Sequence, residues 1–360
     1  MKKRTIIIFV LLFCLLSACT FDAKTLAKDE AASSQPPTQA PTETSAPTPT
    51  ATPTGPKPVI IDTDMAVDDW GAILYLLQNK NADVLGISLV GDGEATCVPG
   101  VDNILRLVSI AEHAPIPVAC ANPKPLAGNN TFPGEWRSSV NAFFRRSELS
   151  WAENTATTDN SVEMMKDLLM TSPEQVTFLI TGPTTNVAQL LEDYLEVKEK
   201  IAHFYIMGGA VNTAGNMGEG STAEWNFYID PAADNIVLGA GIPVTLGSLD
   251  YTDYFPLDNY YYEKMMLRHD SPAADFLFGY EEANSWRRNS GNYLWDQSTA
   301  VMMMNESMAK YKPARMCVVE EGENEGAIIQ DSGCPEHRYG SSGNKTEVFE
   351  EYWQVINREK

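Results

Sequence analysis

The segment at residues 58–77, PVIIDTDMAVDDWGAILYLL, limits the folds open to this chain more than any other. An apolar run ends abruptly in a group of carboxylates. Apolar residues then recur at the spacing of one helix face, at Trp70, Ile73, Leu74 and Leu77. The pattern predicts a buried strand, a tight acidic loop and then a helix. The carboxylates of this segment are Asp62, Asp64, Asp68 and Asp69.

Four negative charges so close in sequence repel one another, and a folded chain offsets such repulsion with a cation or with protons. Hard oxygen ligands on one loop are what Ca²⁺ or Mg²⁺ requires. In the alternative, Asp68 and Asp69 cap the helix and complement its dipole while Asp62 and Asp64 face solvent. The segment favours metal binding, with helix capping as the alternative.

The N-terminus has the features of a bacterial lipoprotein signal peptide. Three basic residues at 2–4 precede an apolar core at 6–16, which is too short to span a bilayer as a helix. The Leu-Ser-Ala-Cys sequence that follows resembles a lipobox, which predicts a signal peptide at 1–18 and lipidation of Cys19. We therefore expect an extracytoplasmic protein whose contact with the cell membrane is a lipid anchor only.

Residues 19–57 are predicted to form a tether behind the lipidated cysteine. From residue 33 onwards the tether is almost entirely Pro, Thr, Ala and Ser, a composition that cannot bury a core and favours extended polyproline II. Residues 58–360 are long enough for one large domain with a sizeable core.

The formal net charge of −22 argues against nucleic acid as a partner. It suits a soluble body with a site for a small ligand, and it leaves homo-oligomerisation open. Four cysteines follow Cys19, and they can stay free or pair in three ways. Cys317 with Cys334 is a plausible pair because a Gly-rich acidic loop lies between them. The other two are Cys97 and Cys120.

Apolar segments alternate with amphipathic ones through the rest of the domain. Helices are predicted around 101–108, 162–169 and 187–194, and residues 255–310 are expected to be largely helical. Strands are predicted at 84–90, 116–119, 176–180, 203–207 and 244–246. Strands that are apolar throughout and alternate with helices indicate an α/β fold, an open, mostly parallel sheet with helices on both faces.

Polar signatures follow four of the strands where each strand ends. Ligands of open parallel sheets bind beyond the carboxyl ends of the strands, so these signatures indicate one shared site. Asp64 and Asp69 would converge there on a cation, with Asp296 and the Thr181 carbonyl as further oxygen ligands. The signatures are Asp62 with Asp64, Asp92 with Glu94, Thr181-Gly182-Pro183 and Met207-Gly208-Gly209.

Five ordered segments resemble the motifs of the nucleoside hydrolase family, of the inosine–uridine-preferring type. IIDTDMAVDD resembles the family's DxDxxxDD signature, ITGPTTNVA its TGPLTN loop and MGGAVNTAGN its MGG…GN segment. AEWNFYIDPAAD and LWDQSTAV resemble its AEFN…DP and HD segments. The resemblance implies an open α/β fold and Ca²⁺-dependent cleavage of the N-glycosidic bond of a small-molecule ribonucleoside.

Two departures from the family motifs are similar to its purine-preferring inosine–adenosine–guanosine branch. Trp225 replaces the Phe of AEFN, and Trp295 replaces the His before the last Asp. Trp136 lies about where that branch places another base-facing tryptophan. A third departure points away from the branch, because Ala66 occupies a position where Asn is usual. Core packing is the alternative role for each tryptophan.

The resemblance also implies roles for individual residues. Asp64 would orient and deprotonate the attacking water, and Asp68 would hydrogen-bond the ribose 2-hydroxyl. Trp295 and Trp136 would sandwich the purine and favour its protonated form through their π faces. The Ca²⁺ ligands would be Asp64, Asp69, Asp296 and the Thr181 carbonyl. The remaining ribose contacts would come from Met207, Asn216, Glu224 and Asn226, with Trp225 beside them.

Three points stay open on the sequence alone. Asp92 and Glu94 are candidate partners for the base, with a surface-loop role as the alternative. A haloacid-dehalogenase-type phosphatase also has DxD at a strand end, but that family has Thr or Val where Ala66 stands and paired acids where Asp296 precedes Gln297. A nucleoside-binding lipoprotein without turnover is the non-enzymatic alternative, and the retained carboxylates argue against it.

Overall fold

The computed structural model describes residues 55–145, 149 and 160–358. The predicted signal peptide, Cys19 and nearly all of the predicted tether lie outside these residues. Lys57, which the sequence places at the end of the tether, begins the first strand instead. Its amide donates to the carbonyl of Asn81 at 2.8 Å and its ammonium to the carbonyl of Met303 at 2.7 Å. No helix of the described part has the length and apolar character needed to cross a membrane.

Within the described residues, nine strands form one mixed sheet in the order β3-β2-β1-β4-β5-β6-β9-β7-β8. Pairing is parallel from β3 through β6 to β9, and β7 pairs antiparallel with both β9 and β8. The strands are β1 (Lys57–Thr63), β2 (Ala82–Val90), β3 (Val118–Ala121), β4 (Val176–Ile180), β5 (Ile201–Met207), β6 (Val244–Gly247), β7 (Ala309–Val318), β8 (Ile328–Gln330) and β9 (Glu336–Gly343).

Helices connect the strands and cover both faces of the sheet. They are α1 (Val67–Gln78), α2 (Cys97–Ile110), α3 (Gly134–Asn141), α4 (Ser161–Thr171), α5 (Thr185–Asp193), α6 (Trp225–Ile229), α7 (Pro231–Leu238), α8 (Leu249–Thr252), α9 (Asn259–Leu267), α10 (Pro272–Ala283), α11 (Trp295–Met304) and α12 (Lys345–Ile356). This confirms the predicted α/β class with a mostly parallel sheet. The antiparallel strands β7 and β8 and the helix α12 extend the architecture beyond that prediction.

The central strands are apolar throughout because each face of the sheet packs against its own core. In β1, Val59 and Ile61 join the core shared with α1, α2, α11 and α12, whereas Ile60 joins the core shared with α4, α5 and α7. All three side chains are fully buried. Burial on both faces removes the polar alternation that a one-sided sheet would show.

The strand order places a topological switch point between β1 and β4. The chain runs outwards from β1 through β2 to β3, then returns to β4 on the other side of β1. The loops after β1 and β4 therefore diverge and leave a crevice at their carboxyl ends. The predicted polar signatures at the ends of β1, β2, β4 and β5 all lie along this edge.

Two disulfides resolve the pairing that the sequence left open. Cys97 pairs with Cys120 and joins the start of α2 to β3. Cys317 pairs with Cys334 and joins β7 to the segment that leads into β9. Each bridge closes a short loop between neighbouring elements.

Candidate active site

The loop after β1 positions Asp64 through a tight turn. Met65 adopts a left-handed φ of 61°, its side chain is buried, and its amide donates to Thr63 Oγ1 at 3.0 Å. The amide of Ala66 donates to Asp64 Oδ1 at 3.1 Å, and the amide of Glu94, in the loop after β2, donates to Asp64 Oδ2 at 3.0 Å. Two loops at the switch point thus fix one carboxylate.

Two neighbouring glycines leave the space that this carboxylate occupies. A Cβ at Gly93 would lie 2.1 Å from the Cβ of Asp64, and a Cβ at Gly182 would lie 2.6 Å from the same atom. Any side chain at either position would collide with Asp64. Glycine at both positions therefore lets the loops after β2 and β4 come close to this carboxylate.

Asp69 lies in the first turn of α1 and faces the loop after β4. Its Oδ1 accepts hydrogen bonds from the hydroxyls of Thr63 and Thr181, the latter at 2.6 Å. Its Oδ2 is buried and accepts no hydrogen bond among the described residues. A buried carboxylate oxygen without a partner is costly, so this atom is available for a ligand.

Asp68, Asp69 and Asp296 form a compact acidic cluster. Their ligand oxygens lie within 4.8 Å of one another, a spacing that fits oxygens around one hard cation. Asp296 comes from the first turn of α11, and its Oδ2 is also buried without a partner in the described part of the chain. Asp64 stands beside this cluster, close enough to interact with Asp69.

Burial dominates the electrostatics of these acids. It raises the pKa of Asp64, and it raises the pKa values of Asp69 and Asp296 well above their usual range, with repulsion from neighbouring carboxylates adding to both. A divalent cation would reverse this effect and keep the carboxylates ionised. The unpartnered oxygens and the hard-ligand chemistry both fit such an ion.

A second group of polar side chains lies at the end of β5 and the start of α6. Glu224 caps α6 by accepting hydrogen bonds from the amides of Asn226 and Phe227, and burial raises the pKa of Glu224 to about 7. The Asn226 amide donates to the Met207 carbonyl at 3.1 Å, and Asn216 Oδ1 accepts from the amide of Trp225. These contacts hold the predicted ribose-binding residues in one place.

One cavity of about 510 Å³ joins the acidic cluster to this polar group. Of the site residues predicted for the domain, all but Asp69 line this cavity. Asp69 is buried just beyond the residues that line it. The predicted residues that line it are Asp64, Asp68, Trp136, Thr181, Met207, Asn216, Glu224, Trp225, Asn226, Trp295 and Asp296.

The aromatic lining differs in one respect from the predicted pair of tryptophans. Trp136 contacts Trp225 edge-on, with ring centroids 5.2 Å apart, and Phe132 stacks on Trp225 with ring centroids 5.5 Å apart. Trp295 lies in the cavity beside Tyr293 at 5.6 Å. Trp136 is therefore part of an aromatic cluster, rather than a free-standing half of a sandwich.

Several lining residues were not singled out from the sequence. They are Phe132, Phe144, Trp286, Arg287 and Asn292. Two adjacent arginines in SWRRNSGN, just before the LWDQ motif, are unusual in a strongly acidic chain and could have indicated that Trp286, Arg287 and Asn292 belong to the site. No comparable pattern marks Phe132 or Phe144.

Glu94 and Asp92 take different positions in the structure. Glu94 lines the cavity, as its predicted role as a partner for the base requires. Asp92 is fully buried behind the cavity wall, where it accepts a hydrogen bond from Thr185 Oγ1 at 2.7 Å. Neither the base-binding role nor the surface-loop role fits Asp92, because its carboxyl is part of the polar support beneath the TGPTTN loop. Asp62 is buried there too and accepts from the amide of Asn186.

A family model described as inosine-uridine preferring nucleoside hydrolase matches residues 59–352. The chain belongs to this family. Membership separates it from the haloacid-dehalogenase-type phosphatases that the DxD motif left open. A similar curated nucleoside hydrolase is the pyrimidine-specific ribonucleoside hydrolase RihA of Citrobacter koseri, 39% identical over 202 residues. The match covers 54% of this chain and 61% of that relative, as it does for RihA of Escherichia coli O1:K1 at 37% identity.

Solved structures of nucleoside hydrolases share the fold. The inosine-uridine preferring nucleoside hydrolase of Bacillus anthracis has a TM-score of 0.75 and 25% identity, and the match covers 84% of this chain and 99% of that one. A purine-preferring ribonucleoside hydrolase of Gardnerella vaginalis has a TM-score of 0.68 at 22% identity, covering 84% and 98%. The second likeness supports the fold alone.

Proposed function

We propose that this nucleoside hydrolase cleaves the N-glycosidic bond of ribonucleosides, purine nucleosides foremost, to free base and ribose with the help of Ca²⁺. The observation that carries the proposal is a cavity in which buried carboxylates, among them Asp296 with its unpartnered oxygen, face a row of ribose-type hydrogen-bonding groups and an aromatic wall. The curated relatives bear the name pyrimidine-specific, so the purine preference rests on the tryptophans alone.

The residues divide the chemical work as follows. Asp64, Asp69 and Asp296, with Thr181, would hold the cation, which when bound lowers the pKa of an adjacent water and binds ribose hydroxyls. Asp64, fixed by two backbone amides, accepts the proton of the attacking water. Asp68, Glu224 and Asn226 orient the ribose, and their charges and dipoles stabilise the positive charge that develops at C1.

Base release from a panel of nucleosides tests this proposal. The full-length protein, purified in detergent with Ca²⁺, should release base from inosine and guanosine faster than from uridine. Glu224→Gln removes the buried negative charge but keeps the shape, so it should lower kcat by about 10²-fold or more. Nucleoside binding measured by calorimetry without any base release would instead support a binding protein.

Faster cleavage of uridine than of inosine would leave the hydrolase function standing but would overturn the purine preference. The tryptophans at 225 and 295 would then shape the cavity without selecting a larger base.

We propose in addition that Cys19 is lipidated and holds the enzyme at the outer side of the cell membrane. The support is the lipobox with its basic and apolar segments. Cys19→Ser should move the protein from the membrane fraction to the soluble fraction. Identical fractionation of the variant and the wild type would contradict the anchor.

A further inference from the structure

Arg287 places a guanidinium at the cavity without a strong partner. It ends the short 3₁₀ turn Ser285–Arg287 after α10 and lines the cavity with its side chain 11% exposed. Its Nε lies 3.8 Å from Glu281 Oε1, too far for a hydrogen bond, and makes none with any described residue. A buried guanidinium N–H without an acceptor is costly unless a ligand accepts from it.

The surroundings of Arg287 are aromatic. Its guanidinium lies 5.7 Å from the ring centroid of Tyr280 and 6.0 Å from that of Trp286. Phe144, which lines the cavity, contacts Tyr280 at 5.3 Å. This wall is distinct from the polar group on β5 and α6 that is assigned to the ribose, so Arg287 belongs to the part of the cavity left for the base.

The charge of Arg287 also reaches the interior of the cavity. Burial and the carboxylates of Asp64 and Asp68 raise the pKa of Glu94, and Arg287 acts in the opposite direction on both Glu94 and Asp68. These two acids line the cavity. Glu281 is the one described carboxylate within ion-pair distance of Arg287, and the Nε donor makes no hydrogen bond with a described residue, so the guanidinium keeps donor capacity for a ligand.

Resting on the proposed function, we infer that Arg287 recognises the ring carbonyl of the base and thereby selects 6-oxopurine nucleosides over adenosine. The N7 and O6 atoms of hypoxanthine and guanine are adjacent acceptors that match the fork of a guanidinium. Adenine presents an amino group in place of O6, and this donor would face the donors of Arg287. By the same argument, Arg287 favours uracil, which has an acceptor at O4, over cytosine, which has an amino group there.

The same contact assists departure of the base. As the bond between C1 and the base nitrogen breaks, its electron pair leaves with the base, which takes up a proton from solvent in the same step and departs neutral. The guanidinium stabilises the share of the negative charge that O6 carries during this step, while water adds to C1 and its proton passes to Asp64. Arg287 thus supplies a positive charge to the leaving group in a cavity lined by no described histidine, lysine, tyrosine or cysteine.

The test compares kcat/KM for inosine and adenosine in the full-length protein with Ca²⁺. Arg287→Met should lower kcat/KM for inosine by about 10²-fold and for adenosine by about 10-fold at most, because hypoxanthine offers the guanidinium two acceptors, N7 and O6, whereas adenine offers N7 alone. Arg287→Lys keeps the charge without the fork and should fall between. Arg288→Met is the matched control, since the guanidinium of Arg288 lies over the Tyr262 ring and does not line the cavity.

Equal losses on inosine and adenosine in Arg287→Met, or no loss on either, would overturn the inference. If the wild type releases no base at all, the proposed function fails, and calorimetric binding of the two nucleosides then decides the role of Arg287. A selective loss of inosine affinity in Arg287→Met would still support it, and equal affinities would overturn it.

Discussion

Asp69 shows how single side chains set up this site. Two threonine hydroxyls hold one of its carboxylate oxygens, and the other is left buried and unpartnered. Because the hydroxyls come from β1 and from the loop after β4, the carboxylate cannot rotate away without breaking both contacts. A residue held in this way is prepared for a ligand before the ligand arrives.

Trp295 is the residue at which this chain departs most from the family motif. Loss of its π face should remove the stabilisation of a positively charged purine, so Trp295→Ala should lower kcat on inosine and adenosine alike by roughly 10²–10⁴-fold. The loss should be far smaller on p-nitrophenyl riboside, whose leaving group needs no protonation. Steady-state rates on the three substrates measure the difference.

Trp295→Phe is the control, because it keeps an aromatic face at the same place. Trp136→Ala should show the same pattern more weakly, since Trp136 packs edge-on against Trp225. Equal losses on inosine and p-nitrophenyl riboside would mean that Trp295 only shapes the cavity.

At the level of elements, the sequence predicts the parallel part of the sheet well. The six parallel strands from β1 to β6 are apolar runs, and all but β3 lie close to their predicted positions. β3 was expected at 116–119 and is found at Val118–Ala121. Pro115 and Pro117 have no amide to donate to a neighbouring strand, so regular pairing begins only at Val118.

The antiparallel edge of the sheet was not predicted. β7 carries two lysines, an arginine and Pro313, and only a few of its side chains are buried, so its sequence lacks the apolar run of a central strand. Its place depends on pairing with β9, which follows only after β8 and the loops on either side of it. Arg287 was missed for a related reason, because its turn reaches the cavity through the packing of α10 against α2, α9 and α12, which are distant in sequence or not predicted individually.

The disulfide between Cys317 and Cys334 stabilises this edge. It closes a loop with a sequence separation of 17 residues, which in the chain-entropy account is worth about 3 kcal/mol. The double variant Cys317→Ala/Cys334→Ala should lose about that much free energy of unfolding in urea. Base release should persist, because neither cysteine lines the cavity.

Because reductant also opens Cys97–Cys120, the wild type treated with reductant under mild denaturant should match the double variant treated in the same way. Equal stability of the double variant and the oxidised wild type would show that strand pairing alone holds this edge.

At the scale of the whole molecule, stability should depend on a histidine far from the site. Burial and the nearby Arg338 guanidinium lower the pKa of His203 to about 4. The folded state therefore binds this proton less readily than the unfolded state, whose histidine has a pKa near 6.5. Stability contributed by neutral His203 is present above about pH 6.5 and is lost as pH falls towards 4.

The variant His203→Gln lacks this titration. As the pH falls from 7 to 4, the free energy of unfolding of the wild type should drop relative to that of the variant by roughly 3 kcal/mol. Urea denaturation at several pH values measures this difference. A difference in the free energy of unfolding between the two proteins that stays constant from pH 7 to 4 would contradict the lowered pKa of His203.

At the β1–β4 switch point, we expect base release to depend on a cation held by the buried carboxylates. The most direct test is the rate of base release from inosine after chelation, measured as Ca²⁺ is added back. The chelated wild type should be inactive and should recover with saturating dependence on Ca²⁺. Asp69→Asn should not recover, whereas Asp83→Asn, an exposed acid on β2, should behave like the wild type. Full activity of metal-free protein in excess chelator would contradict the account.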